Sequence, residues 1–207
     1  MLLLEDTVRP AGGWLDAAQV ALQNESLAAA SGPVRCAPTL GARGRAWALH
    51  EYGPAIGAGT GERDTLPGHL LLLRREPVLA ALGASDGLRE DVIFPALRES
   101  GWRCQLLHGL AGEIVATDPR GASMRGQFGH GRGWSARESS RSGWTRRQRV
   151  LRLAAWPAVA AMHASRSMHG PLSPGIVMQI GALSAAWALG EGVGAVLGAG
   201  ASEDHWA

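Results

Sequence analysis

The chain contains no lysine: all twenty of its basic residues are arginine. Eighteen acids leave a formal net charge of only +2, which argues against a protein built wholly around a polyanion. Cysteine is almost absent. Cys36 and Cys104 are too few for a disulfide framework or a zinc cluster, and a reducing cytosolic setting is the default. The seven histidines are scattered without metal-ligand spacing. Ser135, Ser139 and Ser140 show no nucleophile-elbow pattern, and the glycines at 190, 192, 194 and 198 follow no strand that would make them a dinucleotide fingerprint. No signal peptide is visible, because Met1-Leu2-Leu3-Leu4 runs at once into Glu5 and Asp6.

What is present is apolar and patterned. Hydrophobic residues make up 46% of the 207, enough for a sizeable core. Leu2–Leu4 reads as a buried parallel strand with Glu5-Asp6 at its carboxyl end. Pro10 and Gly12-Gly13 mark a turn before a helix from Trp14 to about Asn24. A strand is expected near Pro33–Cys36, a short helix over Trp47–Tyr52, and a surface loop from Gly57 to Asp64. Leu70–Leu73 suits a central strand. Leu88–Glu99 reads as a helix with an apolar face, although Pro95 falls inside it. Cys104–Ala116 alternates loosely as one or two strands, so the fold class predicted is an α/β sheet.

Composition shifts at Asp118. Residues 1–118 read as the sheet domain, and 119–149 as an Arg/Gly/Ser-rich segment with eight arginines between Arg120 and Arg149. Residues 150–207 read as an apolar helical tail. Its stretch from Gly175 to Gly200 is long enough to cross a bilayer, though Gln179 and Glu191 interrupt it. An interfacial hairpin fits equally well, with the arginines on acidic headgroups. The same arginines, with Trp134 and Trp144, could instead track a nucleic acid, but no binding-module pattern accompanies them.

Two acidic pairs carry the chemistry. Carboxylates at the carboxyl end of a buried strand, as at Glu5-Asp6, lie where open α/β sheets bind ligands and can hold a divalent cation. Glu90-Asp91 stands at the start of a helix, where acids gain from the helix dipole but can also serve as a general base.

The order of the pieces resembles a known family. Leu3-Leu4-Glu5-Asp6-Thr7-Val8-Arg9-Pro10 with Gly13-Trp14-Leu15 resembles the strand-acid-Pro-Gly-Trp-Leu segment of family-2 glycosyltransferases of GT-A fold. Pro67-Gly68-His69 before Arg74-Arg75 is similar to their acceptor-side strand, where Asn is usual in place of His69. Arg89-Glu90-Asp91 with Gly101-Trp102 is similar to their Glu-Asp base motif, and Phe128-Gly129-His130-Gly131-Arg132-Gly133 to the Gly-Arg-Gly segment that follows the domain.

That resemblance implies a partial GT-A sheet followed by a membrane-proximal helical tail, on the cytoplasmic face of a bacterial membrane. It implies transfer of a sugar from a nucleotide-sugar donor to an acceptor hydroxyl with inversion. Asp6, with Glu5, would bind Mn²⁺ or Mg²⁺; Asp91, or Glu90, would be the base; Arg132 would meet the donor diphosphate; His69 and Trp102 would border the acceptor. It implies also that a nucleotide-binding half lies upstream and that these 207 residues are silent without it. A non-catalytic membrane-associated scaffold is the alternative.

Overall fold

The structure is a computed structural model that describes residues 1–83 and 90–205; the side chains of Asp91 and of residues 203–205 fall outside that description. The fold is mixed α/β and divides into two compact units. The first comprises Met1–Thr39 and Pro54–Ala116, and the second Leu40–Gly53 and Thr117–Ala207.

In chain order the strands are β1 (Leu2–Leu4), β2 (Val8–Pro10), β3 (Leu27–Ser31), β4 (Val34–Cys36), β5 (Gly61–Glu62), β6 (Leu70–Leu73), β7 (Arg103–Leu106) and β8 (Gly112–Ile114). The helices are α1 (Trp14–Leu22), α2 (Ala42–Tyr52), α3 (Arg75–Leu82), α4 (Glu90–Glu99), α5 (Met124–Arg141), α6 (Arg146–Ala154), α7 (Trp156–Ser167) and α8 (Pro174–Leu197).

The first unit holds every strand among the described residues. Its main sheet has the order β1-β6-β3-β7-β5, and a smaller sheet the order β2-β8-β4. Strand β1 pairs antiparallel with β6, not parallel as its apolar run suggests. Strands β1, β3 and β7 nevertheless share one direction, because β6 lies between β1 and β3 and runs against both. Leu71 and Leu73 face a core built with Val78 of α3 and with Ile93, Phe94 and Leu97 of α4. Leu70 and Leu72 face Trp14, Ala18 and Ala21 of α1. Helices on both faces explain why β6 is leucine throughout instead of alternating. Strand β3, Leu-Ala-Ala-Ala-Ser, is wholly buried yet carries no β-branched or aromatic residue, so its composition conceals it. Helix α4 runs through Pro95 to Glu99, and the chain turns away at Gly101, whose φ of 82° is the left-handed value that glycine adopts without strain.

The second unit is helical. Within the Arg/Gly/Ser-rich segment, residues 124–141 form the eighteen-residue helix α5, capped where Ser123 Oγ accepts from Gly126 N at 2.9 Å. Gly131 on α5, with Gly190 and Gly194 on α8, makes the backbones touch: a Cβ on Gly190 would lie 2.1 Å from Phe128 O, and one on Gly194 2.1 Å from Arg132 O. Helix α8 is thus the core of this unit, and it also packs against α2, α6 and α7. By length and composition α8 could cross a membrane, but half of its apolar window is buried among its neighbours.

Candidate functional site

Three topological facts build the site. The strands that share a direction all cross into the small sheet: β1 continues into β2, β3 into β4, and β7 into β8. The small sheet therefore grows from the carboxyl-terminal edge of the main one. That edge is where open α/β sheets collect ligands.

Glu5 and Asp6 follow β1 there. The Glu5 N–H donates to His69 O at 3.1 Å, tying the acidic turn to the start of β6, and Thr7 Oγ1 donates to Glu5 Oε2 at 3.4 Å. Asp6 is exposed. His69 is wholly buried, with Nε2 3.4 Å from Gly32 O just beyond β3. Burial pulls its pKa down to about 4, against the opposing pull of the Gly32 carbonyl, so the ring is neutral at physiological pH and its Nε2 donates. His69 therefore braces the edge from beneath and does not line a surface an acceptor could reach. Ser31 Oγ contacts Pro67 O at 3.5 Å beside it.

The second acidic pair arrives from α4. A Cβ on Gly68 would lie 1.8 Å from Glu90 Oε1, so the Glu90 carboxylate rests against the bare backbone of Gly68. The Glu5 backbone and the Glu90 carboxylate, from residues eighty-five positions apart in the chain, thus approach the neighbouring residues His69 and Gly68. Asp91 is the next residue of α4; its side chain lies outside the described residues, as does the whole of Arg89.

One expected member lies elsewhere. Trp102 immediately precedes β7, at the opposite edge of the sheet, and packs half-buried against the core of α4. Arg132 belongs to the helical unit, where its Nε donates to Gly198 O at 2.8 Å. Among the described residues, no group of three or more His, Cys, Asp or Glu side chains could hold a metal ion.

Sequence reasoning missed a cleft of about 540 Å³ beside this edge, over the small sheet. Arg9, Glu113 and Arg35 lie abreast on β2, β8 and β4, so the row exists only once the strand register is known. Arg9 pairs with Glu113, and Arg35 Nε lies 3.4 Å from its other oxygen.

The helical unit has a polar cluster of its own. Gln127, wholly buried, donates through Nε2 to Gly121 O (2.7 Å) and Glu51 Oε2 (3.1 Å), which leaves its Oε1 to accept from His50 Nε2 at 3.0 Å. His50 Nδ1 then accepts from Ser184 Oγ at 3.2 Å. Ser184 is wholly buried, so this is a clasp among α2, α5 and α8 and not a nucleophile with its base. Two turns on, Glu191 is 2% exposed, paired with Arg152 and accepting from Trp187 Nε1 at 2.9 Å. Burial pushes its pKa up, but the nearby His163 ring, the hydrogen bond from Trp187 and the Arg152 charge outweigh that and hold it below the usual carboxylate range. Comparison with known protein families, curated proteins and solved structures found no match to the chain.

Proposed function

We propose that the carboxyl-terminal edge of the main sheet is the catalytic half-site of an inverting glycosyltransferase of GT-A type, acting on a nucleotide-sugar donor. The observation that carries this reading is that the turn holding Glu5-Asp6 is tied to His69 while the Glu90 carboxylate rests on the adjoining Gly68. Acids on two elements at one strand edge suit two separate tasks, diphosphate binding and proton removal.

On this reading Asp6, with Glu5, holds Mn²⁺ or Mg²⁺, and the cation supplies neutralisation of the diphosphate charge. The Glu90-Asp91 pair takes the proton from the acceptor hydroxyl as its oxygen bonds to the sugar C1. The C1–O bond to the diphosphate breaks with inversion, and no covalent enzyme intermediate forms. His69, being neutral and tied to Gly32, keeps the start of β6 rigid beside both acidic segments; positioning and charge stabilisation supply the catalysis.

The helical unit supports peripheral attachment to an anionic bilayer. Helix α6 buries none of its residues, exposes Val150 (49%) and Leu151 (54%), and opens with Arg146 and Arg147. Two cations at a helix amino terminus oppose the helix dipole, a cost that anionic headgroups would offset.

The test is thermal unfolding of the chain with UDP and GDP, with and without Mn²⁺. A metal-dependent rise in Tm that disappears in Asp6→Ala is the expected result. No rise in a folded protein would leave the non-catalytic scaffold as the better reading.

A further inference from the structure

We infer that the cleft over the small sheet binds a sugar bearing an anionic group, held between Arg9 and Arg35. The inference begins with charge. The register places Arg9 and Arg35 on either side of Glu113, on one face of the sheet, so two guanidiniums share one carboxylate. Glu113 is only 13% exposed and already paired with Arg9, whereas the Arg35 side chain is 81% exposed and meets Glu113 only through Nε. A structural cross-strand pair needs a single arginine. The second leaves a net positive row, and a guanidinium fork is the group best matched to phosphate or carboxylate oxygens.

Shape supplies the second argument. The row opens into a concavity of about 540 Å³, far larger than one inorganic anion and within the range of small-molecule sites. Gly12, Gly57 and Gly112 in its walls present bare backbone, which lets a polyhydroxylated ligand reach main-chain donors and acceptors; His108 adds an imidazole. Pro33 and His108 of its lining follow β3 and β7, whose carboxyl ends lie at the same sheet edge as the end of β1 and Glu5-Asp6. That the bound sugar is the acceptor rests on the transferase reading; the anion site itself rests on the cleft.

Isothermal titration of the full chain with glucose 6-phosphate, glucuronate and glucose tests it. Glucose 6-phosphate should bind on the order of tenfold more tightly than glucose, because charge-assisted hydrogen bonds are worth about 1.5–3 kcal/mol. Arg35→Gln, which leaves the Arg9–Glu113 pair intact and the fold undisturbed, should abolish that advantage. Glucuronate binding with the same dependence on Arg35 supports the anionic-sugar site with a carboxylate as its charge. Equal affinity for glucose and glucose 6-phosphate overturns the proposal, as does an advantage that survives Arg35→Gln. UDP with Mn²⁺ is titrated in parallel. Loss of nucleotide binding alone removes the transferase reading and leaves the cleft, whereas loss of sugar-phosphate binding alone does the reverse.

Discussion

Single atoms decide the helical unit at Gly190 and Gly194. Their missing side chains are what let α8 lie directly on α5, and a methyl group at either would strike a carbonyl oxygen of the partner helix. Backbone cannot swing aside as a long side chain can. Gly190→Ala is therefore expected to destabilise by about 1–3 kcal/mol through overpacking. Gly181 lies in the same helix with nothing within 4 Å of the position of a Cβ. Gly181→Ala should instead stabilise by roughly 0.5–1 kcal/mol, from helix propensity alone. Thermal melts of the two variants should move in opposite directions; a shared direction would mean that the backbone contact is not what holds α8.

At the scale of elements, α6 is the helix whose composition and surroundings disagree. It has a well-formed start, with Thr145 Oγ1 accepting from Gln148 N and Gln148 reaching back to Thr145 N at 2.7 Å. Arg152 turns inward to Glu191, and Arg149 reaches Trp144 O at 3.1 Å, which leaves Arg146 and Arg147 to the solvent with Val150 and Leu151. Each arginine near an anionic bilayer is worth about 1 kcal/mol. Sedimentation with vesicles containing phosphatidylserine should pull down the protein, and Arg146→Gln with Arg147→Gln should weaken that binding on the order of tenfold or more. Equal binding to neutral vesicles would mean that apolar contact alone drives attachment.

Across the whole molecule, buried imidazoles set the response to acid. Burial pulls His69 in the first unit, and His50 and His130 in the second, down to about 4 each. In the unfolded chain these rings take a proton near the ordinary value of about 6.5. Their contribution to stability is therefore fully present above that pH, and is lost progressively as the pH falls toward 4. Glu191, whose folded pKa is depressed, adds a further loss at lower pH as its carboxylate protonates. Tm should thus fall between pH 6.5 and 4, and His69→Asn should show a shallower decline. A flat profile would mean that the rings protonate freely in the folded chain.

Runs and punctuation were enough to locate β1, β4, β6 and α1, because apolar stretches bounded by glycine and proline carry their own boundaries. The acidic pairs were legible as well, since Glu5-Asp6 ends an apolar run and Glu90-Asp91 opens an amphipathic helix. Strand β3 and helix α5 were not. Alanine is a poor marker of a strand, and a Gly/Ser/Arg composition argues against a helix until a neighbouring backbone needs the glycines. Tertiary structure alone decided that Glu90 rests on Gly68, that His69 is a buried brace, and that Arg9, Glu113 and Arg35 form one row. Each depends on which residues meet across strands or helices distant in sequence. Local propensity says what a segment becomes; only register and packing say what it touches.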